Sequence, residues 1–256
     1  MLLRKSHFQS DWFLSQFKRL THGVVEAMDW HEQEQTCPDF VVDKFWHWTR
    51  LLEYPWALSQ TPAHWRCVVD YGSNPQFHAA LLGLGYDVLA HQTTQDTERL
   101  GVMAAYERGR FSMQDCYASH ARRFGLVLGY LRDLPLKPRE WDGAYCLSAL
   151  EHYNTPEEVR GELAGLYDLL VPGGKLLVTI DWFPDYSIGK GMTDMGWNHP
   201  YLDLLPAGAV LEADIEELPF HPRFNAALFA DADVLIESWP PIGRLAVVCF
   251  TLAKPL

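Results

Sequence analysis

Residues 66–77 read Arg-Cys-Val-Val-Asp-Tyr-Gly-Ser-Asn-Pro-Gln-Phe, and their types and spacing suit the binding of a nucleotide-like ligand. Cys67, Val68 and Val69 are a continuous apolar run, the pattern of a strand buried on both faces. Asp70 puts a carboxylate at the end of that strand, and Gly72 lets the backbone come close to a ligand. Ser73 or Asn74 suits the cap of a following helix, and Pro75 suits its first turn. Helix-start N–H groups and a carboxylate then meet at the carboxyl edge of a sheet, where α/β folds bind such ligands.

Two further residues have the chemistry of a base. His152 titrates near neutral pH and follows an apolar strand at the same sheet edge. Asp181 ends another strand there and can accept a proton from a hydroxyl or an amine. Each has a structural alternative, His152 as a residue that fixes its loop and Asp181 as a cap or loop anchor. Trp182, Tyr186 and Trp197 suit an apolar substrate wall or the packing of their own loop. Ser148 lacks the glycines of a nucleophile elbow. The eleven histidines form no close zinc-type pair and the five cysteines no CxxC, so no metal is expected.

The elements that must position these groups alternate between strand and helix. After the first strand, residues 77–85 read as an apolar helix stopped by glycine, and residues 86–90 as strand two. Residues 126–131 are a third strand, 142–147 a fourth and 175–181 a fifth. Thr155-Pro156-Glu157-Glu158 starts a helix that runs to about residue 170, where Pro172-Gly173-Gly174 stops it. A short helix is read at 201–205. A sixth strand is placed at 209–213 or at 234–237, and residues 244–253 form the last. Strands alternating with helices argue for a parallel sheet covered on both faces.

Residues 1–65 read as a helical cap appended to a main domain of residues 66–256. Six of the ten tryptophans lie in the cap: Trp12, Trp30, Trp46, Trp48, Trp56 and Trp65. Helices are read at 11–20 and at 45–52, the second ending near Glu53-Tyr54-Pro55. The aromatics pack the cap onto the main domain, cover a ligand pocket, or do both. Tyr54 lies just before the first strand and is the cap's candidate contact to a ligand.

With 256 residues, of which 48% are hydrophobic, the chain can bury a substantial core. A formal net charge of -12 without a long basic run argues against nucleic acid as a partner. No apolar stretch of about 18 residues exists, so no transmembrane helix is expected. The first residues, Met-Leu-Leu-Arg-Lys-Ser-His, lack the apolar core of a signal peptide. Cys67, Cys146 and Cys249 fall in apolar runs and read as buried thiols, which fits a cytoplasmic protein. Oligomeric state is not legible.

A resemblance rests on the second half. Leu134-Pro135, Trp141-Asp142 leading to Leu150-Glu151-His152, and Leu169 through Pro172-Gly173-Gly174 to Thr179 resemble the class I S-adenosylmethionine-dependent methyltransferases, most of all the small-molecule type. The resemblance covers residues 66–256. It implies a Rossmann-like three-layer sandwich with a mostly parallel seven-stranded sheet, S-adenosylmethionine as cofactor and a small-molecule acceptor. By position it assigns Asp70, Tyr71, Gly72 and Ser73 to the methionine part of the cofactor, and Leu147 to its adenine or sulfonium side. Gln92 stands where the family has an acidic residue for the ribose. Tyr130 stands where an acid near the adenine is usual, with Asp133 close by to substitute. The loop after Asp70 has one glycine where two or three are usual. These departures leave an alternative, a methyltransferase-fold protein that no longer catalyses and serves as a binding or partner subunit.

Overall fold

The computed structural model describes residues 1–28, 50–92, 116, 119–128, 140–185, 198–239 and 243–256. Five strands are parallel: β1 (Cys67–Tyr71), β2 (Asp87–Gln92), β3 (Phe124–Leu128), β4 (Trp141–Leu147) and β5 (Leu170–Trp182). Two short strands, β6 (Val210–Glu212) and β7 (Ile236–Trp239), precede the last strand, β8 (Gly243–Ala253). The order across the sheet is β3-β2-β1-β4-β5-β8-β6, with β7 also on β8 and β8 antiparallel to β5. The sequence placed one sixth strand at either of two sites. Both exist, and they share one position on the outer edge of β8, so eight strands fill seven places.

Between β7 and β6 that edge is filled by the start of the chain. Leu2 bridges Val248, the Met1 amine donates to the Cys249 carbonyl at 2.6 Å, and the Leu3 N–H donates to the Val247 carbonyl at 3.1 Å. Leu2 and Leu3 are fully buried there.

Strand residues alternate between two cores, as a pleat requires. Val68, Tyr145, Leu147, Leu177 and Val247 face α1 (Asp11–Met28), α2 (Arg50–Gln60) and α3 (Pro75–Gly83). Val69, Ala144, Cys146, Val178 and Val248 face α4 (Pro156–Leu169) and α5 (Tyr201–Leu204). This is the expected three-layer sandwich. α4 starts at the expected capping threonine, and the structure adds a full capping box, in which Thr155 Oγ1 accepts from the Glu158 N–H at 3.2 Å and the Glu158 carboxylate accepts from the Thr155 N–H at 3.1 Å.

Several boundaries differ. The first helix runs on to Met28 because Leu20, Val24 and Val25 continue its buried face. α2 continues through Pro55 to Gln60. Proline removes one helical donor, and the burial of Trp56, Ala57 and Leu58 beyond it outweighs that loss. Pro172-Gly173-Gly174 lies inside β5, where the register against β4 shifts and Gly173 takes a φ of 81°. Cys67 is half-buried, since it sits at the strand's entry, while Cys146 and Cys249 are buried. Trp30, Trp46, Trp48, Tyr130, Asp133, Tyr186 and Trp197 lie outside the described residues, as does the side chain of Gln92. Among the described residues no helix is long and apolar enough to cross a membrane.

Candidate functional site

The carboxyl ends of β1, β4 and β5 bring together side chains from four separate stretches of the chain. At β1, Asp70 is fully buried between two partners. Ser73 Oγ donates to Asp70 Oδ1 at 2.6 Å, and His78 Nε2 on α3 lies 2.7 Å from Asp70 Oδ2. The sequence reading did not single out His78. It lies eight residues after Asp70, in the first turn of the helix that the Asp70–Pro75 turn launches.

Between Asp70 and Ser73 the chain must turn sharply, and Gly72 does so with a φ of 83°. A Cβ on Gly72 would meet the Ala149 Cβ at 2.8 Å, so the loop lies almost against the exit of β4. Tyr71 stacks flat on the buried His91 of β2, with ring centroids 4.4 Å apart, and its hydroxyl bonds that of Tyr153. Asn74 occupies the cap position of α3, but its side chain makes no cap hydrogen bond. Its backbone N–H donates instead to the Tyr54 hydroxyl at 3.0 Å, and the Tyr54 ring stacks on Phe77 at 4.5 Å. The candidate cap residue thus reaches the loop, from a side chain that is fully buried. Burial raises the Tyr54 pKa above that of a free phenol, so the hydroxyl is neutral.

One turn before Tyr54, α2 contributes a second contact. Arg50 Nη1 donates to both Glu53 oxygens, at 2.8 and 2.7 Å. Glu53 Oε2 also accepts from Ser148 Oγ at 2.9 Å and from Thr179 Oγ1 at 2.7 Å. Ser148 follows β4 in the left-handed region, with a φ of 46°, a costly backbone for a serine. Thr179 accounts for its hold, because the Ser148 N–H donates to the Thr179 carbonyl at 2.9 Å and to Thr179 Oγ1 at 3.0 Å. Burial by itself lowers the Arg50 pKa, but Glu53, with Tyr54, Asp181 and Glu151 near it, reverses that and leaves it raised. Leu147, the family-assigned neighbour of Ser148, is fully buried core.

The two candidate bases are placed differently. Asp181 sits at the end of β5, 8% exposed. His152 ends the 3-10 turn Leu150–His152 and is solvent-exposed, while its neighbour Glu151 is 0% exposed. Glu151 Oε1 accepts the Asp181 N–H at 3.2 Å, a donor on the β4 side of β5 that a longer β4 would have used. Burial raises the Glu151 pKa well above the ordinary carboxylate range, and the nearby Asp181 charge adds to it. The structure therefore brings Asp70, Tyr71, Gly72, Ser73 and Tyr54 together at one loop, and Asp181 with Glu151 beside it. His152 follows Glu151 on the same turn but is exposed. Asp133 and the Gln92 side chain fall outside the described residues.

Comparison with solved structures places this edge in a known architecture. Phosphoethanolamine N-methyltransferase 2 of Haemonchus contortus, solved with phosphomonomethylethanolamine and S-adenosylhomocysteine, aligns over 92% of this chain and 61% of its own, with a TM-score of 0.52 and 10% identity. The same enzyme solved with S-adenosyl-L-methionine aligns over 92% and 60%, with a TM-score of 0.51 and 11% identity. The chain has a methyltransferase fold. The methyltransferase fold here spans about three fifths of that enzyme's length. The 1,6-didemethyltoxoflavin-N1-methyltransferase of Burkholderia thailandensis aligns over 74% of this chain and 71% of its own, at 18% identity and a TM-score of 0.43. No protein-family model matches the sequence, and no curated protein does.

Proposed function

We propose that this protein binds S-adenosylmethionine across the carboxyl ends of β1, β2 and β4 and transfers its methyl group to a small-molecule acceptor. The observation that carries the reading is the Asp70 loop. A buried carboxylate, tied by Ser73 and His78, sets a turn whose glycine approaches the β4 exit too closely for any side chain. These residues fit the cofactor: the loop from Gly72 to Asn74 offers backbone, Tyr71 and Leu147 flank it, and Tyr54 closes it from α2. Gln92 and Asp133 are assigned to its ribose and adenine ends by position in the sequence. The cofactor supplies a methyl group already activated on a sulfonium. The protein's task is then to align an acceptor atom with that carbon, exclude water and take up a proton. Asp181, buried at the neighbouring strand end, serves as the base. His152, exposed at the end of the Leu150–His152 turn, stands as the second candidate, acting from the solvent side.

Calorimetric titration with S-adenosylmethionine and S-adenosylhomocysteine tests the reading. Micromolar binding is expected, and Asp70→Ala is expected to weaken it at least about tenfold, equivalent to about 1.4 kcal/mol. No binding by a protein that circular dichroism shows to be folded overturns it.

A second reading is favoured by α2. Tyr54 already takes the Asn74 N–H, and Glu53 already takes the Ser148 and Thr179 hydroxyls. In that reading the protein's own helix fills the cleft, and the fold serves as a binding or partner subunit. Glu53→Ala then creates or improves cofactor binding, whereas the first reading expects it to weaken binding.

A further inference from the structure

The ends of β4 and β5 hold buried polar atoms that no described residue satisfies. Glu53, Glu151 and Asp181 are 0%, 0% and 8% exposed. Among the described residues the positive group acting on Glu151 is Arg50, and its guanidinium makes its close contacts to Glu53. Glu53 is satisfied by that pair and two hydroxyls. Glu151 is not: Oε1 takes the Asp181 N–H, and Oε2 has no partner among the described residues. The Tyr201 hydroxyl, at the start of α5, is independently in the same condition. It is 0% exposed, has no partner among the described residues, and lies in the field of Glu151, Cys146 and Asp181. Buried polar atoms are almost always hydrogen-bonded, so two orphans from separate elements mark a place where a ligand's polar group fits. Among the described residues no three acidic, histidine or cysteine side chains group as metal ligands. An organic cation fits the charge.

We propose that Glu151 Oε2, the Asp181 carboxylate and the Tyr201 hydroxyl form a subsite for the positively charged amine of the methyl acceptor, which makes the acceptor an amine. The inference rests on the methyl-transfer reading above and narrows its substrate class. An ammonium has N–H donors for both orphan oxygens and a charge for the carboxylates. Asp181 then takes one N–H proton, and the nitrogen keeps the electron pair that attacks the methyl carbon. The elevated Glu151 pKa adds a linked event. Without ligand, burial and the Asp181 charge favour the protonated form of Glu151. An ammonium beside it favours the ionised form, so binding releases that proton.

The test is calorimetric titration of ethylamine into the protein saturated with S-adenosylhomocysteine, in two buffers of different ionisation heat, with ethanol as the neutral counterpart. Ethylamine is expected to bind with net proton release, and ethanol is not. Glu151→Gln is expected to abolish the proton release, and both it and Asp181→Asn to weaken ethylamine at least about tenfold. Tyr201→Phe is expected to weaken it severalfold, with S-adenosylhomocysteine affinity kept in all three. If the variants weaken S-adenosylhomocysteine and ethylamine never binds, the cation belongs to the cofactor and the proposal is overturned. It is equally overturned if S-adenosylhomocysteine binds and ethylamine does not, which leaves the orphan oxygens to structural water. Should S-adenosylhomocysteine fail to bind, the methyl-transfer reading falls on its own. Ethylamine titrated into the free protein then supports the subsite by binding with proton release, and overturns it otherwise.

Discussion

Asp70 and His78 are both 0% exposed, with His78 Nε2 2.7 Å from Asp70 Oδ2. Replacing His78 with phenylalanine leaves a buried carboxylate with the Ser73 hydroxyl as its remaining described contact. A loss of about 3 kcal/mol in stability is expected from urea unfolding, far above a surface substitution. Glu151 yields a pH dependence whose sign follows from its environment. Its folded pKa is raised above the ordinary value of 4.5, so the native state holds a proton that the unfolded chain has lost. Its contribution is therefore fully present below pH 4.5 and declines as pH rises through the raised value. Unfolding free energy measured across that range should lose this decline in Glu151→Gln. At this scale the sequence was partly legible. Asp70, Gly72 and Asp181 stand at strand ends that apolar runs announce. Glu53 does not: its partners Ser148 and Thr179 are 95 and 126 residues away, and no local pattern marks a carboxylate that the fold delivers from so far.

The elements were legible where one periodicity or one cap decides them, and less so where packing overrides local preference. The helix start at Thr155 was readable because a capping threonine, a first-turn proline and acidic residues are themselves its mechanism. Thr155→Ala should cost about 1 kcal/mol, read from a thermal or urea midpoint. Pro55 misled, because a proline signals a break and the fold continued the helix to bury Trp56. The crossing of α1 and α3 was invisible for the same reason. A Cβ on Gly83 would collide with the Gly23 carbonyl oxygen, so the two helices meet backbone to backbone through a pair of glycines far apart in sequence. An exposed helical glycine replaced by alanine gains about 1 kcal/mol. Gly83→Ala should do the opposite and lose about 2 kcal/mol by overpacking. A stabilised variant in urea titration would mean that the helices are not in contact.

At the scale of the molecule, the outer edge of β8 is covered in series by β7, by the first three residues and by β6. The Met1 amine meets the Cys249 carbonyl across 248 positions of sequence. That separation sets an order of events during synthesis. Residues 1–3 leave the ribosome well before β8, the strand they pair with, has been made. A chain halted at residue 242 should therefore expose Leu2 and Leu3 to an aminopeptidase that the full chain resists. Until β8 emerges, residues 1–3 have no partner along their final sheet edge, and completion of the sheet waits on the synthesis of that strand.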